Sequence, residues 1–185
     1  EVSVTAVDPG ACPGGYGCPC AADPDCDNGV CIDVAGAKTC SLPCDPACPE
    51  GFACGDVDKD GGVIATCVPA HVELCNPCTE TTACASLGRA DSACVSYGGD
   101  GNFCGSACNG DADCPTGYGC EVATHADGGS SLQCVKKPEG AGNSQGLGVC
   151  GCSAKATAKQ LGTACWTTTN GARCYGSRGC SAGGL

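Results

Sequence analysis

The chain has no methionine, one tryptophan and two histidines, and Val, Ile, Leu and Phe together supply only 24 of its 185 residues. That lies below the roughly one-fifth at which a chain is expected to assemble a hydrocarbon core. No apolar run approaches the ~18 residues that cross a membrane as a helix, so no membrane span is expected. Bases are scarce as well: nine Lys and Arg stand against 20 Asp and Glu, for a net charge of −11. With no basic stripe to neutralise phosphates, nucleic acid is excluded as a partner. No Asn-x-Ser/Thr acceptor for sugar occurs, because Asn102, Asn109, Asn143 and Asn170 are each followed by the wrong second neighbour. Nucleophile-elbow, zinc-protease, haem-attachment and phosphate-cradling motifs are missing, and His71 and His125 read as surface histidines. The expectation is a protein that is not an enzyme and requires no cofactor.

Cysteine fills the gap. There are 24 in 185 residues, above the roughly 8–10% that marks a disulfide scaffold. Native bridges at about 2–4 kcal/mol each can replace what a thin core fails to supply, and twelve are available if every cysteine pairs. Such a chain belongs in an oxidising place, extracellular or on a cell surface. Its start at Glu1, without a methionine or an apolar leader, suits a mature form from which an export signal has been removed. Cys75-Asn-Pro-Cys78 and the C-x-C pairs have spacings that zinc or iron could use, but in an oxidising setting disulfides are the expected state. An even count gives no hint of a free thiol.

Charge is unevenly placed. Residues 1–139 hold all 20 acids and five bases, whereas residues 140–185 hold four bases and no acid. An acidic body is thus followed by a basic tail.

A seven-residue frame, C-P-x-G-[F/Y]-x-C, occurs three times. Its copies begin at Cys12, Pro13 with Tyr16 and Cys18, at Cys48, Pro49 with Phe52 and Cys54, and at Cys114, Pro115 with Tyr118 and Cys120. Proline fixes one φ, glycine opens another, and the aromatic gives each turn a ring to bury. Around the frames lie two nine-cysteine units, from Cys18 to Cys67 and from Cys75 to Cys134. Cys31-x8-Cys40-x3-Cys44 in the first answers Cys94-x9-Cys104-x3-Cys108 in the second. In each, the C-P frame closes the unit and is followed by a loop of twelve or thirteen residues. Nine is odd, so at least some bridges must join units or termini.

Cys31–Cys40 and Cys94–Cys104 are expected to be short hairpins, and the Ala35-Gly36 turn would set Cys31 opposite Cys40. The tail repeats the opening of a unit, with Cys150 and Cys152, then a helix capped by Ser153, then a hairpin from Cys165 to Cys174 turning at Asn170-Gly171, then Cys180.

The expected fold is therefore small and disulfide-rich: tandem cysteine-rich modules with short β-hairpins, long loops and one short helix near 154–161. Its parts are an N-terminal strand and orphan turn (1–17), module 1 (18–74), module 2 (75–137), a Pro, Gly and Ser-rich linker (138–149) and a truncated module 3 (150–185). Residues 1–8 alternate Val2 and Val4 with polar neighbours, as a half-buried strand does.

The N-terminus carries a closing turn with no unit before it, and the C-terminus a unit with no closing turn. Three explanations fit: excision from a longer array, closure of the termini within one molecule, or completion of one subunit's tail by the N-terminal strand and turn of the next. The last is heterologous and propagates into a fibre. Opposite charge at the two ends favours it, as does a strand free to add to a sheet edge. Its candidate assembly residues are Val2, Val4, Cys150, Cys152, Cys165, Cys174 and Cys180.

The C-P-x-G-Y pattern resembles the closing loop of EGF-like modules. The fuller arrangement, Asp111-Ala-Asp-Cys-Pro-Thr-Gly-Tyr-Gly-Cys120 with Cys150-Gly-Cys152-Ser153, Cys165, Cys174, Arg178 and Cys180, resembles cysteine-rich repeats of secreted surface proteins in myxobacteria and related deltaproteobacteria. What the resemblance implies is architecture, and the nine-cysteine units depart from the six-cysteine EGF plan.

One ion site is a candidate. Asp56, Asp58 and Asp60 with Gly61 fit positions 1, 3, 5 and 6 of a calcium loop, but position 12 falls on Cys67, so any calcium would need ligands from elsewhere. The functional expectation is an extracellular structural protein, self-associating head-to-tail as a fibre subunit. The alternatives are a calcium-dependent adhesion or binding module from a larger surface protein, and a cysteine-rich hydrolase inhibitor.

Overall fold

The computed structural model describes residues 12–181 except 28, 35, 46, 50, 90, 141, 143 and 144, and all 24 cysteines fall among them. Val2 and Val4 lie outside the described residues. Two compact units form, one ending at Val72 and one beginning at Glu73. Every sheet among the described residues is a two-stranded antiparallel hairpin. The first unit holds β1 (Val30–Val34) with β2 (Ala37–Ser41), and β3 (Phe52–Lys59) with β4 (Gly62–Pro69). The second holds β5 (Cys94–Ser96) with β6 (Asn102–Cys104), β7 (Tyr118–Thr124) with β8 (Ser130–Lys136), a short helix α1 (Ala154–Ala158), and β9 (Gly162–Thr169) with β10 (Ala172–Gly179).

Isolated hairpins are marginal in water, and here sulfur stabilises them. Eleven disulfides form. In the first repeat they run Cys20–Cys31, Cys26–Cys40, Cys44–Cys54 and Cys48–Cys67. In the second they run Cys78–Cys94, Cys84–Cys104, Cys108–Cys120 and Cys114–Cys134. The rule is the same for four hairpins: two cysteines of a preceding loop grip the two arms, the earlier one on the first arm and the later one on the second. The gripped cysteines face each other directly, as Cys31↔Cys40, Cys54↔Cys67, Cys94↔Cys104 and Cys120↔Cys134, yet none bonds its opposite. The leftover cysteine of each nine bonds outward, Cys18 to Cys12 and Cys75 to Cys150.

Three of the gripping loops are C-x5-C and share a single 3-10 turn, at Asp23–Asp25, Thr81–Ala83 and Asp111–Asp113. The third residue of each loop accepts a hydrogen bond from the backbone N–H of the first gripped cysteine. Asp23 Oδ1 takes it from Cys31 at 2.9 Å, Thr81 Oγ1 from Cys94 at 3.5 Å, and Asp111 Oδ1 from Cys120 at 2.9 Å. These acids are therefore turn residues that brace the bridges.

The two hairpins of each repeat share a buried polar contact that is built differently in the two copies. In the first, buried Ser41 and Thr66 join by hydroxyls 2.6 Å apart, and Thr66 donates to the Leu42 carbonyl. In the second, fully buried Gln133 accepts from Ala93 N–H and donates to the Asp91 carbonyl. Its partner position is Gly105, where a Cβ would lie 2.7 Å from Gln133 Oε1. Gly with Gln thus replaces Ser with Thr, conserving the space between the hairpins.

Several expectations need correction. The second and third C-P-x-G-aromatic frames do not close their units; they open β3 and β7, with Phe52 and Tyr118 as the first strand residues. The twelve- and thirteen-residue loops after them are the turns and arms of β3–β4 and β7–β8. Only the first frame is bonded to itself, as Cys12–Cys18; its Tyr16 ring meets Phe52 edge-on at 5.2 Å. The helix spans Ala154–Ala158, capped as expected by Ser153 Oγ accepting from Ala156 N–H. It stops short of Gly162 because Gln160 turns left-handed at φ 50°. Within the 138–149 stretch, Leu147 packs on a core of Val95, Tyr97, Phe103, Ala123 and Val135, and Gly148 N–H bonds the Lys136 carbonyl.

Candidate assembly and thiol site

The tail is attached to the second unit by a buried polar latch. The Glu73 carboxylate accepts hydrogen bonds from Asn76 Nδ2 at 2.8 Å, from Ser86 Oγ and from Lys155 Nζ on α1. Ser153 at the start of α1 donates to Asn76 Oδ1. Burial pushes the Glu73 carboxyl up, but the hydrogen bonds from Lys155, Ser86 and Asn76 outweigh it and hold the group below its usual value. The Cys75–Cys150 bridge lies beside this latch in sequence, and Tyr118 Oη donates to Cys75 Sγ at 3.3 Å.

Beyond the latch, β9–β10 is held at its base. Buried Thr163 accepts from Asn102 N–H at 2.8 Å, Arg178 pairs with Asp100 at 3.1 Å, and Cys152–Cys180 closes the chain behind it. The tip is a two-residue turn in which Asn170 and Gly171 both have positive φ, 53° and 80°, as the primed hairpin turns demand. Seven of the eight β10 residues are exposed, and no strand among the described residues pairs with its outer edge.

This hairpin carries the only free thiols, Cys165, half-buried, and Cys174, exposed. Cys165 lies opposite Gly176 and Cys174 opposite Thr167, so the two cysteines are not directly paired as they are in the other four hairpins. The offset of two keeps both on one face but sets them diagonally, about 7–8 Å apart, beyond the usual span of a disulfide. Both line an open concavity of about 620 Å³ beside Asp100 and Arg178. On the opposite face, Arg173 stacks over the Trp166 ring at 4.3 Å, and Tyr175 is 75% exposed.

The five cysteines among the candidate assembly residues therefore separate. Cys150 and Cys180 are buried and, with Cys152, already bonded within the chain, whereas Cys165 and Cys174 remain available.

Asp56 and Asp58 lie exposed on one face of extended β3, and Asp60 occupies its turn at φ 51°. Among the described residues, the groups close enough to share an ion are cysteine triads such as Cys78, Cys84 and Cys104, whose sulfurs are already in bridges. His125 is better covered than a surface histidine, with its side chain 14% exposed, and contacts Ser131 Oγ at 2.9 Å and Asp127 at 3.8 Å. That serine is also engaged by Gln133 Nε2.

Sequence reasoning missed the Glu73 latch and buried Gln133, since isolated polar residues carry no periodic signal. No family model, curated protein or solved structure matches the chain, so the functional reading rests on this geometry. No helix among the described residues is long and apolar enough to cross a membrane, and eleven disulfides mark maturation in an oxidising compartment.

Proposed function

We propose that the protein is a non-enzymatic extracellular structural subunit that assembles head-to-tail into a surface fibre, each copy's N-terminal segment completing the C-terminal module of the next. One observation carries this reading: β10 presents an exposed edge with which no strand among the described residues pairs, on a hairpin whose base is fixed by Thr163, Arg178 and Cys152–Cys180. A rigidly mounted bare edge is the feature that strand addition uses. The basic tail and acidic body make the contact electrostatically complementary, and bridged modules suit a mechanical role. Negative-stain microscopy of native material tests the reading. Fibres of uniform width are expected, and monodisperse particles alone would sink it.

A further inference from the structure

We infer that the fibre contact is covalent: Cys165 and Cys174 of one copy take over the Cys12–Cys18 bridge of a second copy, forming Cys12–Cys165 and Cys18–Cys174 between chains. This deepens the head-to-tail reading and rests on it. Four of the five hairpins have both cysteines gripped by a pair from a preceding loop. The fifth, β9–β10, has both cysteines free. The Cys12–Cys18 bridge closes a loop on itself and grips no hairpin. Its C-x5-C spacing is that of the gripping pairs Cys20 and Cys26, Cys78 and Cys84, and Cys108 and Cys114. One ungripped hairpin and one unused loop pair thus remain.

The pairing follows the rule of the other four, the earlier loop cysteine to the first arm and the later to the second. The diagonal offset of Cys165 and Cys174 keeps them from bonding each other, so any disulfide partner of either must be an outside sulfur.

The chemistry begins as exchange. The Cys165 thiolate attacks the sulfur of Cys12, an exposed residue, the Cys12–Cys18 bond breaks, and Cys18, buried until the bond opens, leaves as a thiolate that takes up the proton Cys165 gave away. Cys18 and Cys174 are then two thiols. Their bond forms as a small-molecule disulfide is reduced to two thiols, receiving the two electrons and two protons.

The test is a non-reducing peptide map of fibres grown from equal parts of ¹⁴N- and ¹⁵N-labelled protein with oxidised glutathione as the disulfide. Mixed-isotope peptides joining Cys12 to Cys165 and Cys18 to Cys174 are expected, with a ladder of multimers in SDS that reductant collapses to one band. The Cys165→Ser/Cys174→Ser variant leaves all eleven bridges in place and should lose the ladder completely. Fibres in which Cys165 and Cys174 remain open to alkylation, or are bonded within one chain, or a variant that keeps the ladder, would overturn the covalent link while leaving head-to-tail assembly standing. Absence of fibres from the native protein would overturn both.

Discussion

The β5–β6 and β9–β10 hairpins belong to the same unit and differ in what holds them. The first is short, and its opposed Cys94 and Cys104 are gripped by Cys78 and Cys84; those four buried cysteines form a core cluster of their own. The second has arms of eight residues, a strong turn, no bridge within its arms and a largely exposed surface. Beside the cluster around Val95, Tyr97 and Phe103, disulfides serve as core, filling interior that aliphatic residues elsewhere occupy. Where they are missing the hairpin is largely exposed, its Cys174 is accessible, and its order depends on anchors at one end. Stability and availability are thereby assigned to different hairpins.

The sharpest way to break that contrast is to remove bridges from one side and thiols from the other. Cys84→Ala with Cys104→Ala deletes a buried bridge closing a sequence separation of 20, and a loss of about 3 kcal/mol is expected. Cys165→Ser with Cys174→Ser should change the stability of the isolated chain by less than about 0.5 kcal/mol. Non-reducing thermal unfolding compares them. Equal losses would mean that β9–β10 is as integral as the gripped hairpins.

A smaller effect is expected at the latch that mounts the tail. Glu73→Ala removes charge-assisted hydrogen bonds from Lys155, Ser86 and Asn76, at a cost of about 2 kcal/mol. The same group makes the mounting pH-sensitive. Its folded pKa is below the ordinary 4.5, so its contribution is complete above that value and is lost as pH falls through the folded pKa. Melting curves from about pH 6 to about pH 3 should show this loss in the native chain. Glu73→Gln, which has no charge to lose, should remove that part of the slope. An unchanged slope would place the acid sensitivity elsewhere.

Cysteine spacing made the repeat legible, and turn chemistry made three hairpins legible, because Gly36, the Gly98-Gly99 region and Asn170-Gly171 sit between β-forming arms. Pairing was not legible, since opposed cysteines such as Cys31 and Cys40 bond elsewhere and spacing alone carries no connectivity. The β3–β4 hairpin had a usable signal in Asp60-Gly61, between arms carrying Val57 and Ile64, but the acidic spacing invited an ion-loop reading instead. Counting outward from Asn170-Gly171 puts Cys165 opposite Gly176, and likeness to the other cysteine pairs concealed that offset. The Glu73 latch depends on residues up to 82 positions apart, which only the folded chain brings together.

The finest test of the contrast is on the aromatic face of the exposed hairpin. Arg173 covers Trp166, the only tryptophan, with its guanidinium 4.3 Å from the ring centre. At an exposed site such a contact contributes about 0.5–1 kcal/mol. In Arg173→Ala the fluorescence of Trp166 should change, and β9–β10 amides should exchange about two- to five-fold faster, the equivalent of that energy. The β5–β6 and β7–β8 amides should not respond, because their bridges hold them whether or not β9–β10 opens. Faster exchange throughout the second unit would instead show that the free-thiol hairpin and the gripped ones open as one cooperative body, and the division between stability and availability would fail.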